Sequence, residues 1–250
     1  VPTHFAVIFD HSSTTFRNEI YPEYKANRDA PPEDLRPQFG VIRSATKAFN
    51  LPCIEKQGYE ADDLIATYAR QAREVGGDVT IVSSDKDLMQ LVGPQVIMYD
   101  TMKDRKVGTD EVHEKFGVGP ASIADWLGLV GDTADGFPGL PVWGAKSAAS
   151  VLAKYLHIEN IPDDEAQWAA DGVVVRGAAK LAATLREKRE LANLFKVVAT
   201  VVTNVEDDVQ LGSVDDWEWR GPTKELAHFG QLLGMTDLVE RTERAMVGRI

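Results

Sequence analysis

Residues 79–87 read Val-Thr-Ile-Val-Ser-Ser-Asp-Lys-Asp, a short apolar run that ends in serines and acids. Residues 4–9 (HFAVIF) form a similar run that ends at Asp10. Short apolar runs of this kind predict buried strands of a parallel sheet with polar groups at their carboxyl ends. Because ligands bind beyond the carboxyl ends of such strands, we expect Asp10 and Asp85 to face a ligand.

Helical patterns alternate with these strands. Apolar residues recur at helical spacing over residues 33–49 and 61–73. Residues 51–54 and 96–99 are weaker strand candidates. Alternating strands and helices predict an α/β fold, a mostly parallel central sheet flanked by helices, over residues 1–108.

The strand signal fades beyond residue 108, and residues 109–250 are predicted to form a helical region. Thr109 is a candidate N-cap for a helix over residues 110–116. Residues 131–144 are rich in glycine and proline and predict a loop. Further helices are predicted over residues 121–130, 146–155 and 173–202, with an interruption near Arg176-Gly177 left open, and one or two helices over residues 226–246.

Composition narrows the class of protein. The chain has 250 residues, a net charge of −12, five histidines and one cysteine. A single cysteine, Cys53, excludes an intrachain disulfide and suits a reduced, cytoplasmic protein. No apolar run approaches the roughly 18 residues of a membrane span, and the scattered histidines do not predict a zinc site. Acidic stretches in the second half carry part of the charge, at residues 163–165, 206–208 and 215–216.

A net negative charge by itself argues against binding to nucleic acid. Part of that charge, however, lies in acids grouped at predicted junctions between loops and regular elements, where bound cations would offset it. These acids are Asp10, Glu60, Asp62, Asp63, Asp85, Asp87, Asp132 and Asp135.

Each acidic cluster alone has a simpler explanation. Acids are favoured in the first turn of a helix, as N-caps and in turns. Their joint occurrence favours a site for a hard divalent cation, Mg²⁺ or Mn²⁺, because such ions take oxygen ligands. Two ions about 4 Å apart can hold both the attacking and the leaving oxygen of a phosphodiester. The clusters therefore predict metal-dependent phosphoryl transfer.

Several linked motifs between residues 5 and 155 resemble the 5′-nuclease domain of bacterial DNA polymerase I and the wider flap endonuclease family. The motifs are Phe16-Arg17-Asn18-Glu19 with Tyr21, Tyr24-Lys25 and Arg28; Gly58-Tyr59-Glu60-Ala61-Asp62-Asp63; Ser84-Asp85-Lys86-Asp87-Leu88; Gly131-Asp132 with Asp135; and Pro138-Gly139 with Gly144-Ala145-Lys146-Ser147-Ala148.

The resemblance implies a PIN-like nuclease core that hydrolyses DNA with two divalent ions. Its substrates would be 5′ flaps and nicked or branched duplex, bound by a monomer. The eight acids above match the family's metal ligands. Lys25 and Arg28 match catalytic cations beside the scissile phosphate, and Arg17, Tyr21 and Tyr24 match DNA contacts of the same region.

Residues 120–155 resemble the family's helix-hairpin-helix region, in which backbone groups and a K⁺ ion hold duplex phosphates. The implied DNA contacts are Gly139, Gly144, Lys146 and Ser147. The chain departs from the family pattern at Gly136, where asparagine is usual, and at Val142-Trp143-Gly144, where the hairpin usually reads Gly-x-Gly.

Family members also carry an earlier strand that ends in Asp-Gly, whereas this sequence starts at Val1. It is therefore expected to be either a fragment of a longer product or a variant with an impaired site. Two alternatives to a DNA nuclease stay open: a DNA-structure-binding homologue that does not cleave, and a PIN-type ribonuclease.

Overall fold

A computed structural model describes residues 2–205 and 214–247. The acidic stretch 206–208 lies outside them. The described residues form two compact units, and each is treated by itself below. The first comprises residues 2–13, 29–64 and 214–247, and the second comprises residues 14–28 and 65–205.

Short strands and helices alternate in the first part of the chain, and helices follow. In chain order the elements are β1 (Val7–Ile8), α1 (Phe16–Ile20), α2 (Arg36–Ala48), β2 (Cys53–Ile54), α3 (Ala61–Glu74), β3 (Val79–Val82), β4 (Val96–Asp100), β5 (Arg105–Val107), α4 (Thr109–Phe116), α5 (Ile123–Val130), α6 (Ala145–Tyr155), α7 (Glu165–Ala170), α8 (Ala178–Ala199), α9 (Glu225–Leu232) and α10 (Leu238–Val247).

The first unit contains a parallel pair of strands, β1 and β2, with Val7 opposite Cys53. Helix α2 packs against α9. A small core of Ala48, Leu226 and Leu238 joins α2, α9 and α10. Because β1 ends two residues before Asp10, this carboxylate follows the carboxyl end of a strand, as predicted.

The second unit contains a three-stranded sheet in the order β3-β4-β5. β3 pairs in parallel with β4, with Ile81 opposite Met98, and β4 pairs antiparallel with β5. Both of these side chains are buried, which fixes the face of the sheet that packs into the core. Asp85 lies three residues beyond the end of β3 and therefore occupies the predicted edge of the sheet.

Helix α5 is a strongly apolar helix of the second unit, and it packs along α8. Gly128 permits this close approach, because a Cβ there would lie 2.9 Å from the carbonyl oxygen of Ala192. Leu127 of α5 and Phe195 of α8 are almost wholly buried. Each buried side chain of this size contributes roughly 1.5–3 kcal/mol to folding.

The α/β class with parallel strand pairs and a following helical region is confirmed, and several boundaries differ from those predicted. The helix predicted over residues 173–202 is shorter, because Gly177 precedes α8 in a left-handed conformation at φ 77°. Gly108, not Thr109, is the N-cap of α4, and its N–H donates to the Glu111 carboxylate at 2.7 Å. The sequence did not predict the short elements α1, β5 and α7. None of the helices in the described ranges is both long and apolar enough to cross a membrane.

Candidate functional site

Two acids of the second unit follow β3 in a tight turn. The Asp85 Oδ1 accepts the backbone N–H of Asp87 at 3.0 Å, and the N–H of Asp85 donates to the Ser83 Oγ at 3.1 Å. Asp87 then opens a 3-10 turn in which the next residue, Leu88, is fully buried. Because Leu88 is buried, the preceding Asp87 also lies inside the protein and is only 9% exposed.

Two further acids lie in the loop between α5 and α6. Gly131 adopts φ 88°, and a Cβ there would lie 2.3 Å from the backbone of Pro138, so the loop closes tightly on itself. Asp132 and Phe137 pair through backbone hydrogen bonds of 2.8 and 3.1 Å. The Asp132 Oδ1 accepts the N–H of Ala134 at 3.0 Å. The loop therefore holds Asp132 in one orientation, with Asp135 three residues away.

The structure brings Asp87, Asp132 and Asp135 together. One carboxylate oxygen from each lies within 4.8 Å of the other two, and we call this group the carboxylate cluster. The buried Asp87 Oδ1 makes no hydrogen bond within the described residues. Burial and the neighbouring acids raise the pKa of Asp87 to about 7, against the opposing effect of Lys86. An oxygen-only donor set with an unsatisfied buried carboxylate fits a hard divalent cation.

A lysine that the sequence reading overlooked lies against the cluster. The Lys86 ammonium contacts the Asp132 Oδ2 directly and lies 3.5 Å from the Asp87 Oδ1. Burial disfavours its charged form, but the hydrogen bond to Asp132 and the neighbouring carboxylates outweigh this and raise the pKa of Lys86. A lone cation between two acids was the signal in the sequence that could have revealed it.

The segment after α1 surrounds Asp135 with donors. Arg28 Nη2 lies 2.7 Å from the Asp135 Oδ1, and the Tyr24 hydroxyl donates to the Asp135 Oδ2 at 3.1 Å. Lys25 Nζ is 3.9 Å from the Asp135 Oδ1, while the Lys25 N–H donates to the Asp135 carbonyl at 2.9 Å. The predicted cations Lys25 and Arg28 are therefore neighbours of the carboxylate cluster.

Arg17 and Tyr21 are placed differently. Arg17 is only 2% exposed, and its guanidinium donates to the carbonyls of Val198 and Thr200 at 2.8 Å. The Tyr21 ring packs edge-on against Phe195, with ring centroids 5.5 Å apart. Both side chains contribute to packing around the end of α8, and contact with DNA stays a prediction for each.

The other four acids belong to the first unit. The Asp10 Oδ1 accepts the N–H of Ala61 at 2.8 Å, and the Asp63 Oδ2 accepts the N–H of Glu60 at 3.1 Å. Both bonds lie at the start of α3, where acids also complement the helix dipole. Glu60 and Asp63 are buried, whereas Asp62 is half-buried and Asp10 is exposed.

The predicted hairpin contacts surround the start of α6 in the second unit. Gly139 adopts φ 70°, and Gly144 is the N-cap of α6. The N–H of Gly144 donates to the Ser147 Oγ at 3.0 Å. Lys146 is exposed and, with Arg176, lines an open cavity of about 480 Å³. The hairpin therefore presents a basic surface beside a helix N-terminus.

Comparison with protein families gives a consistent result. The family model described as 5′-3′ exonuclease, N-terminal resolvase-like domain, matches residues 1–117, and the model described as 5′-3′ exonuclease, C-terminal SAM fold, matches residues 118–225. The chain belongs to the 5′-3′ exonuclease family. The resemblance seen in the sequence motifs is thereby confirmed.

Individual family members support this assignment. The chain is 46% identical over 244 residues to DNA polymerase I of Rhizobium leguminosarum, covering 98% of this chain and 23% of the polymerase. It is 42% identical over 160 residues to the 5′-3′ exonuclease of Aquifex aeolicus, covering 64% of this chain and 55% of that protein. The chain thus spans about a quarter of the length of the polymerase it matches.

Solved structures share the fold. T5 5′-exonuclease with bound zinc superposes with a TM-score of 0.65 at 20% identity, covering 91% of this chain and 82% of that one. The catalytic core of Rad2 in complex with DNA superposes with a TM-score of 0.56 at 15% identity, covering 97% and 77%. The fold expected of a 5′-3′ exonuclease is therefore present in this chain.

Proposed function

We propose that this chain hydrolyses DNA phosphodiesters as a divalent-metal-dependent 5′-3′ exonuclease and flap endonuclease. The observation that carries the proposal is the carboxylate cluster. Its three buried acids approach within 4.8 Å, and the Asp87 Oδ1 makes no hydrogen bond within residues 2–205 and 214–247. Family membership and neighbours whose structures contain zinc or DNA support it.

We assign the metal-binding role to acids of both units. Asp87, Asp132 and Asp135, with Asp85 beside them, would hold Mg²⁺ or Mn²⁺ in the second unit. By resemblance, Asp10, Glu60, Asp62 and Asp63 of the first unit match further metal ligands of the family, which uses two ions. A bound divalent cation would supply an acidified water molecule and charge stabilisation at the phosphate.

Arg28 and Lys25 are assigned to the substrate phosphate. The Arg28 side chain is 54% exposed although its guanidinium lies 2.7 Å from the Asp135 carboxylate. A guanidinium in this position can hold a phosphate oxygen with its remaining donors while Asp135 fixes its orientation. Lys25 adds a second positive charge on the same side of Asp135, and both charges would offset the charge that develops on the phosphate.

Duplex binding is assigned to the hairpin. The exposed Lys146 and the backbone around Gly139 and Gly144 would hold phosphates without reading sequence, with Ser147 at the helix start. The same proposal includes a K⁺ ion at this hairpin and DNA contacts by Arg17, Tyr21 and Tyr24 near the scissile phosphate. It also includes a monomeric state and a boundary near residue 108 between the nuclease core and the helical region.

Cleavage of a 5′-labelled flap substrate in Mg²⁺ or Mn²⁺ tests the function. We expect the wild-type chain to cut the flap and the double variant Asp85→Ala plus Asp87→Ala to cut only at background level. The variant should keep its fold, because within the described residues the buried Asp87 Oδ1 has no hydrogen bond to lose and Asp85→Ala removes a single bond, that from the N–H of Asp87. Circular dichroism checks the fold, and a chelator should abolish wild-type cleavage.

Asp78→Ala is the matched control, because Asp78 is an exposed acid of the same unit, outside the cluster. Undiminished cleavage by the double variant would contradict the assignment. Flap binding without cleavage at any metal concentration would instead favour a DNA-structure-binding homologue. Preferential cleavage of RNA flaps would favour a PIN-type ribonuclease.

A further inference from the structure

Lys86 has no role in the function proposed above, yet it lies at the centre of the site. Its ammonium contacts the Asp132 Oδ2 and lies 3.5 Å from the Asp87 Oδ1. The two carboxylates come from different loops, 45 residues apart in the sequence, and Lys86 is the cation that bridges them.

Three other oxygens of the cluster are already bonded to different parts of the fold. The Asp132 Oδ1 accepts the N–H of Ala134, and the two Asp135 oxygens accept from Arg28 and from Tyr24. The Asp132 Oδ2 and the Asp87 Oδ1 are free of these bonds, and both face Lys86. The lysine therefore lies in front of the oxygens that a metal ion would need.

The Lys86 ammonium and a divalent cation would repel each other at this site. Mg²⁺ binds carboxylate oxygens directly at about 2.0–2.1 Å, so it would take the same Asp132 and Asp87 oxygens. Like charges this close together repel each other near a protein surface, and an ion of charge +2 doubles the repulsion. Lys86 must therefore move away from these oxygens or weaken binding of the ion.

We infer that Lys86 is a resident counter-ion of the carboxylate cluster, which a divalent cation displaces on binding. In the metal-free chain the ammonium offsets the repulsion between carboxylates that lie within 4.8 Å of one another. Its side chain is 34% exposed and its stem is flexible, so a path to solvent is open when the metal ion arrives. The inference rests on the proposed metal-binding function, and it adds that the Lys86 side chain competes with the metal ion.

The test is Mn²⁺ binding to the chelator-treated full chain, measured by titration calorimetry. Lys86→Met keeps the length of the side chain and removes its charge. We expect it to bind Mn²⁺ about tenfold more tightly than the wild type, since a gain of 1.4 kcal/mol, a fraction of the repulsion, suffices. Lys86→Arg keeps the charge and should bind no more tightly than the wild type.

The metal-free Lys86→Met variant should also melt at a lower temperature and gain more from added Mn²⁺ than the wild type. Lys86→Gln is a second neutral variant should the methionine variant fail to fold. Lys154→Met is the matched control, because Lys154 is an exposed lysine at the end of α6. It should leave Mn²⁺ binding unchanged.

Unchanged or weaker Mn²⁺ binding by both neutral variants would overturn the inference, because Lys86 would then organise the ligands and not compete with the ion. That result is distinct from failure of the proposed function. If the wild-type chain binds no divalent ion, the metal-binding function itself is wrong. If the wild type binds Mn²⁺ and the neutral variants match it, only the role of Lys86 is wrong.

Discussion

The second unit contains two groups of side chains that could hold a metal ion. Among the described residues, only one of the two groups has a buried carboxylate oxygen without a hydrogen bond. The carboxylate cluster places its ligand atoms within 4.8 Å of one another, and so do Asp125, His157 and Glu159. Distance between acids therefore does not separate a metal site from a structural network. The hydrogen-bond partners of each oxygen do.

The second group is closed by protein donors. The Asp125 Oδ1 accepts the N–H of Ile158 and the Lys196 ammonium, both at 2.8 Å, and the Asp125 Oδ2 lies 2.9 Å from the His157 Nδ1. Lys196 also bonds both oxygens of Glu159, at 2.7 and 2.8 Å. Asp125 is 1% exposed, so this network ties α5 to α8 in the interior.

The carboxylate cluster differs from the Asp125 network in one respect that matters for metal binding. Its buried Asp87 Oδ1 makes no hydrogen bond to any described residue, and the partly exposed Lys86 lies 3.5 Å from it. A buried acid that is fully bonded stabilises a fold, whereas a buried acid that is left unbonded costs stability unless a ligand binds it. The contrast predicts that removing the Asp125 carboxylate lowers the free energy of unfolding. Replacing Asp87 by a neutral residue should instead raise it relative to the wild type as pH increases.

The largest expected effect on stability is that of Asp125→Ala. Removing this buried carboxylate leaves the N–H of Ile158 unbonded and deprives Lys196 of one partner. We expect the free energy of unfolding to fall by about 3 kcal/mol, as measured by urea denaturation. Asp78→Ala, at an exposed acid, should change it by less than about 0.5 kcal/mol.

Asp125→Ala can also show that the two groups have been assigned the wrong way round. If the folded variant kept the stability of the wild type and lost affinity for Mn²⁺, the closed network would be the metal site. The assignments of the two groups would then have to be exchanged.

A smaller effect is expected for Asp87→Asn, and it depends on pH. The folded pKa of Asp87 is raised to about 7, above the roughly 3.9 of an unfolded aspartate. Folding therefore favours the protonated carboxyl, and the wild type loses stability as pH rises from about 4 through 7. The neutral amide lacks this loss.

In chelator, the unfolding free energy of Asp87→Asn relative to wild type should therefore increase by about 2 kcal/mol between pH 4 and 8. This is less than the full shift would give, because the site relaxes and water approaches when the carboxylate ionises. Asp78→Asn should show no such trend. A constant difference across this pH range would mean that Asp87 is as well satisfied as Asp125, and the contrast between the groups would disappear.

Sequence patterns predicted the parts of the site that depend on local structure. Asp85 follows β3 because apolar residues fix the strand and the chain must leave the sheet after it. Asp132 and Asp135 lie in a loop that glycine and proline make recognisable. The structure brings Asp87 close to these two acids, with ligand atoms within 4.8 Å, and their role as metal ligands stays a proposal.

Patterns could not show which donors satisfy which acids. Lys86 meets Asp132 across 46 residues of sequence, and Arg17 meets carbonyls 181 and 183 residues away. Such pairs depend on how helices and loops pack, so a buried arginine and an exposed one look alike in the sequence. The closed network around Asp125 was missed for the same reason, since its members come from separate elements.

The smallest expected effect is that of His157→Ala, which tests how the closed network is held together. The His157 side chain is 41% exposed, whereas that of Lys196 is 20% exposed and bonds two acids. Partly exposed ion pairs contribute little, so we expect a loss of about 0.5–1 kcal/mol in urea denaturation. His113→Ala, at an exposed histidine of α4, is the control and should cost less. A loss above about 2 kcal/mol would show that the histidine, not Lys196, closes the network. The pair of Asp125 and His157 would then resemble the carboxylate–histidine pairs that surround metal ions in proteins, and the contrast with Asp87 would be weaker.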